Sequence, residues 1–241
     1  MCQTKTNMHI INILPIKWFG NREAYQRSEV KIITVGLNPS DKEFRENDGA
    51  PFTSNLRFPD YKSGKYASLV KALNSYFEKT PYRQWFESGF EPVLNGLGAS
   101  YYSTEDYSCR ALHTDICSPW ATDPTWSKLS VTEQNSLIKT GFPDWKKLVK
   151  DLKPDIILFS IPQKYVKMLK VDPLTELCRF TTTKSGEQRK KPVIIQKGMY
   201  GKSLAVFGRT RNVPFGSLGK EQKKELGEQI ININKKTNIF P

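Results

Sequence analysis

The chain has 241 residues, 38% hydrophobic and 12% aromatic, enough to build a core and too much for a wholly disordered chain. Lys and Arg number 37 against 24 Asp and Glu, a formal charge of +13, which points to a polyanionic partner because bound phosphates shed their counterions. Four cysteines without a CxxC pair and two histidines argue against a zinc ribbon, a redox motif or a His-built metal site. Scattered thiols suit a reducing cytoplasm.

The first apolar stretch, residues 9–18, contains Asn12, Pro15 and Lys17 and lacks a small-residue cleavage site. It does not read as a signal peptide, and no stretch is long enough to span a membrane. Residues 31–35 (KIITV) are short, β-branched and end at Gly36, which marks a buried strand followed by a turn. Tyr66, Leu69, Val70, Leu73 and Phe77 recur at helical spacing. A second strand is expected over residues 111–116. Trp145, Leu148, Val149 and Leu152 mark a helix with Asp144 near its start and Pro154 as its stop. Residues 155–160 (DIILFS) are almost continuously apolar, as a buried parallel strand requires.

Residues 181–191 (TTTKSGEQRKK) form an exposed basic hairpin or loop, either touching phosphate or merely solvated. Residues 193–196 and 204–207 are candidates for further strands. From Lys220 a closing helix runs along Leu226, Ile230 and Ile233. Strands alternating with helices predict one α/β domain over residues 1–241: a three-layer α/β/α sandwich around a mainly parallel four-stranded sheet. Ligands of such sheets sit beyond the carboxyl ends of the strands. That directs attention to three loops, residues 36–40, 115–122 and 208–219.

In the first loop Pro39 stiffens the chain after Asn38, whose amide can hold a water by accepting and donating hydrogen bonds. Cleavage of a glycosidic bond through an oxocarbenium-like state needs no stronger nucleophile. An ordinary Asn-Pro turn is the competing reading.

Taken together, the motifs carry a resemblance. IITVGLNPS resembles the first signature of the uracil-DNA glycosylase superfamily in the asparagine form of its mismatch-specific branch. ALHTDICSPWAT is similar to the second strand and Cys-Pro loop of the single-strand-selective branch, and KPDIILFS to the third strand. GRTRNVPFGSLGKEQKK stands where that family's last loop enters the minor groove, without its His/Asn-Pro-Ser core. The landmarks span roughly residues 30–230 in family order.

The resemblance implies a monofunctional DNA glycosylase acting on a base flipped out of double-stranded DNA, a monomer needing no metal or organic cofactor. It makes Asn38 the residue that positions the attacking water, Gly36 and Leu37 part of the base pocket, and Phe58 the ring that stacks on the base, with Phe52 in reserve. Asp115 takes the base-reading place, which is Asn in uracil-directed members. A carboxylate accepts from the amino group of cytosine, and accepts twice if the ring nitrogen beside it is protonated. Ser40 replaces the tyrosine that walls off base carbon 5. Together they imply a 5-substituted cytosine, of the kind removed from phage DNA by the superfamily's antiviral members.

In the last loop the resemblance implies DNA contacts from Arg209, Arg211, Asn212 and Ser217, with Phe215, ahead of Leu218, as the wedge filling the vacated stack. His113 reads as a packed strand residue and Cys117 as a small buried thiol. Trp120, Thr122 and Trp126 either line the pocket mouth or belong to the core. The cysteine spacings do not fit the iron–sulfur cluster of some superfamily members. The alternatives are a uracil or thymine mismatch glycosylase of base-excision repair, a non-catalytic nucleic-acid-binding module, and a nucleotide- or nucleoside-processing enzyme, which lacks support from any GxGxxG or Walker pattern.

Overall fold

The computed structural model describes residues 8–11, 14–44, 57–58, 60–61, 64–79, 81–171 and 173–237. In chain order they form β1 (His9–Ile10), α1 (Arg22–Arg27), β2 (Ile32–Gly36), α2 (Tyr66–Asn74), α3 (Arg83–Ser88), α4 (Glu91–Gly96), β3 (Ala99–Ser100) and β4 (Cys109–Arg110). There follow β5 (Leu112–Asp115), β6 (Thr122–Asp123), α5 (Val131–Leu152), β7 (Ile156–Ser160), α6 (Gln163–Val166), β8 (Thr175–Thr182), β9 (Gln188–Tyr200), β10 (Ser203–Gly208) and α7 (Lys220–Thr237).

The main sheet has six strands in the order β5-β2-β7-β10-β9-β8, where four were expected. The first four are parallel, and every residue in them is buried, which is why they read as near-continuous apolar runs. The other two add an antiparallel hairpin at the β10 edge. β8 and β9 each bury only one residue and carry polar and basic residues between apolar ones, so only residues 193–196 stand out as a strand in the sequence.

Helices cover both faces of the parallel part. On one, the Trp145 indole of α5 donates to Thr114 Oγ1 (3.1 Å) and packs 6.0 Å from the Phe159 ring. On the other, Thr34 bonds His113 Nδ1 (2.8 Å) and the hydroxyl of Tyr101, whose ring meets Phe77 and Phe86. α5 begins well before Asp144. Its start is a capping box, with Ser130 accepting from the Glu133 N–H and the Glu133 carboxylate accepting from the Ser130 N–H. Pro143 lies inside the helix and forgoes one backbone donor. Among the described residues no helix is long and apolar enough to cross a membrane.

Candidate functional site

Four parallel strands end around one cavity of about 570 Å³, inside the ~300–1,000 Å³ range of ligand pockets. Gly36 ends β2, Asp115 ends β5, Ser160 ends β7, and Thr210 follows β10; all four line it. The loops after β2 and β5 are zipped together past the sheet. Ile116 donates to the Gly36 carbonyl (3.0 Å), and Cys117 and Ser118 donate to that of Leu37 (2.9 and 3.2 Å). This pairing brings Asn38 and Asp115 to the same cavity, along with Leu37, Pro39 and Ser40.

Asn38 donates through Nδ2 to the Trp120 carbonyl (3.2 Å), which fixes the amide plane. No described residue donates to its Oδ1, so that oxygen is an acceptor for a ligand or water. Asp115 is 8% exposed, and among the described residues nothing donates a hydrogen bond to its carboxylate. Its nearest basic neighbour is His113 Nε2, at 3.7 Å. Among the described residues no lysine pairs with it. A buried carboxylate without donors costs stability, so its oxygens are arranged for something that enters the cavity.

Gly36 serves this arrangement by close approach, not by a turn. A Cβ there would lie 2.6 Å from Asp115 Oδ1 and 3.2 Å from His113 Nε2. His113 is both packed and functionally placed: it lines the cavity while Thr34 holds its other nitrogen. Thr122 and Trp126 are buried and line the cavity, and the Trp126 indole is fixed by the Tyr165 hydroxyl (2.9 Å). Trp120 contributes only its carbonyl, to Asn38. Cys117 is fully buried, and burial holds its thiol well above the ordinary thiol range. Among the described residues no cluster of His, Cys, Asp and Glu is suited to a metal ion.

Three expectations change. Phe58 does not line the cavity. It is 2% exposed and packed among Phe19, Phe44 and Tyr76, with ring centroids 5.5–6.4 Å away. Aromatic surface at the cavity comes instead from Phe19, Tyr82, Trp85, Phe86 and Trp126. Phe52 lies outside the described residues. Phe215 is no wedge. It is 1% exposed, its ring fills the space that a side chain on Gly208 would need and meets Phe90 edge-on at 5.8 Å, and its N–H donates to Ser160 Oγ (3.0 Å). Leu218 is buried too.

Ser217 also lies away from the cavity. Its carbonyl accepts from Arg189 Nη2 (2.6 Å), tying the last loop to the β8–β9 hairpin. Asn212, in a left-handed conformation (φ 61°), and Thr210, which bonds Ser160, both line the cavity. Arg209 and Arg211 neighbour these two in the chain and are exposed, and neither lines the cavity.

Glu43 was not among the expected residues. It ends the turn Asp41–Glu43, is 3% exposed and lines the cavity. The Tyr76 hydroxyl donates to its Oε2 and accepts from the Tyr82 N–H (2.9 Å). Burial pushes the Glu43 carboxyl up from 4.5 to about 7. The Tyr76 hydrogen bond and Arg57 oppose that rise, and the charge of Asp115 adds to it. In the sequence it sits in a charged run, DKEF, and only Phe44 beside it hints at burial. Phe19 was missed because its segment looks featureless. It exchanges two backbone hydrogen bonds with His113 (2.8 and 3.0 Å), which brings its ring to the cavity wall.

No protein-family model matches the chain, and no curated protein matches it either.

Proposed function

We propose that this chain is a DNA glycosylase of the uracil-DNA glycosylase superfamily that hydrolyses the bond between an extruded, 5-substituted cytosine and its sugar. The observation that carries the reading is the convergence of Asn38 and Asp115 on one cavity, the amide with an open acceptor and the carboxylate buried without a donor. Two motifs 77 positions apart meet where a flipped base would have to sit.

In this reading Asp115 accepts from the exocyclic amino group of the base, the group that distinguishes cytosine from uracil. Asn38 holds a water against the anomeric carbon. The aromatic side chains around the cavity face the ring, a contact worth ~1–3 kcal/mol per base. Ser40 lines the cavity with a small side chain, which suits a substituent on carbon 5. Phage DNA is the source of such bases that the reading favours.

DNA is held from outside the cavity. Arg209 and Arg211 stand exposed next to Thr210 and Asn212 in the chain, and the adjoining hairpin adds Lys184, Arg189, Lys190 and Lys191. With a formal charge of +13, phosphate contacts supply affinity while the cavity supplies selection. Aromatic and Asn212 contacts take over the role expected of Phe215 in holding the base out of the stack.

The test is mass spectrometry of the bases released from DNAs carrying cytosine, hydroxymethylcytosine, glucosylated hydroxymethylcytosine, uracil or a thymine mismatch. Release of a modified cytosine is expected, lost in Asn38→Ala and shifted toward uracil in Asp115→Asn. Release of uracil or thymine alone would favour a repair enzyme. DNA binding with no base released would make the chain a binding module.

A further inference from the structure

We propose that Glu43 is a catalytic acid that protonates the departing base from the floor of the cavity, an inference that rests on the glycosylase reading. Glu43 and Asp115 are both buried and both reach the same cavity, one from the turn after β2 and one from the end of β5. Tyr76 donates to Glu43 Oε2, so a proton on this cavity-lining residue resides on the other oxygen. Tyr76 is itself fixed by the Tyr82 N–H and by the rings of Phe19, Phe58 and Phe86, so the carboxyl cannot swing away without unpacking that cluster.

The two carboxyl groups divide the work as a cytosine-type base requires. Its exocyclic amino group donates, which suits the acceptor oxygens of Asp115. Its ring nitrogen N3 and carbonyl O2 only accept, which suits Glu43 in its acid form. An amide at position 43 would make the same hydrogen bond but could not give up its proton.

The step balances as follows. The Glu43 proton passes to the acceptor edge of the base, leaving a carboxylate and a cationic ring. The bond from C1′ to N1 breaks, and its electron pair goes to N1 and neutralises that ring. The water held by Asn38 adds its oxygen to C1′ and releases a proton, which restores the acid form of Glu43 through solvent. One water is added across the bond, and the base leaves uncharged.

Burial places Glu43 near neutrality, where it is available in the acid form. The groups that set its charge are Tyr76 by hydrogen bond, Arg57 and Asp115 by their charges, with His113 across the same cavity. Because the acid form is the active one, excision must fall as pH rises through about 7.

The experiment is single-turnover release of the wild type's preferred base from duplex DNA between pH 5.5 and 9. Glu43→Gln keeps size and hydrogen-bonding capacity; it is expected to bind the duplex as wild type does and to release base ~10²–10⁴-fold more slowly. Its residual rate is expected to lose the fall around pH 7. Tyr76→Phe removes the bond that holds the Glu43 carboxyl down, so the fall should move to higher pH. A Glu43→Gln variant releasing base at the wild-type rate with the wild-type pH profile overturns the role of Glu43 and leaves the glycosylase reading standing, as does a Tyr76→Phe profile that shifts downward or not at all. A wild type that releases no base from any DNA overturns both.

Discussion

The two halves of the main sheet use their residues in opposite ways. In β5, β2, β7 and β10 every side chain is buried, so none of the strand interiors can meet a ligand except at their carboxyl ends. Gly36, Asp115, Ser160 and Thr210 gather there. In β8 and β9 only one side chain of each strand is buried, and the tip is basic and polar. The first half is a rigid frame whose chemistry sits at its rim, and the second is a surface whose chemistry is spread along it. On the proposed reading, selection of a small group falls to the first and attraction of a long polyanion to the second.

Substitutions should separate these roles. Phe215 holds the last loop onto the frame, so Phe215→Ala should destabilise the fold by about 3–5 kcal/mol, read as a lowered denaturant midpoint. A wedge would behave differently, with unchanged stability and weakened capture of a flipped base. Glu43→Gln comes next. The folded-state carboxyl titrates near 7 and the unfolded one near 4.5, so the wild type has its full stability below 4.5 and loses some as pH rises through about 7. The variant lacks that loss, and its stability relative to wild type should therefore rise by on the order of 3 kcal/mol between pH 4 and pH 8. Equilibrium unfolding at both pH values measures it. The smallest effect belongs to the hairpin. Replacing Lys190 and Lys191 with Gln should leave stability within about 0.5 kcal/mol and flatten the salt dependence of DNA binding by roughly 2 in the log–log slope. An unchanged slope would remove the hairpin from the DNA surface.

The frame was legible in the sequence because buried parallel strands admit few residue types. KIITV and DIILFS have no other comfortable place, the Asn-Pro turn comes just after the first, and Asp115 ends the neighbouring strand. The hairpin was less legible, since an exposed strand can carry Lys, Arg, Glu and Thr without breaking its pairing, as β9 does over 13 residues. The start of α5 was signalled by the Ser130–Glu133 capping box, and Pro143 drew attention away from it. Loop residues gave least. A phenylalanine in a Gly/Pro-rich loop has the same sequence signature whether it points out or in. For Phe58 and Phe215 the deciding partners, Phe44 and Phe90, lie far away in the chain. Glu43 was hidden for the same reason, because its burial comes from Tyr76, 33 residues on.

The missing side chain at Gly36 has a consequence for how this cavity can change. A methyl group there would meet the Asp115 carboxylate and the His113 ring together, so positions 36 and 115 behave as a single locus. Asparagine at 115 presses on the same spot as aspartate, which means that a switch of base preference by that exchange leaves the glycine constraint intact. A shorter residue at 115 would relieve only the closer of these contacts, since the His113 ring stays 3.2 Å away, and that exchange removes the carboxylate from the cavity.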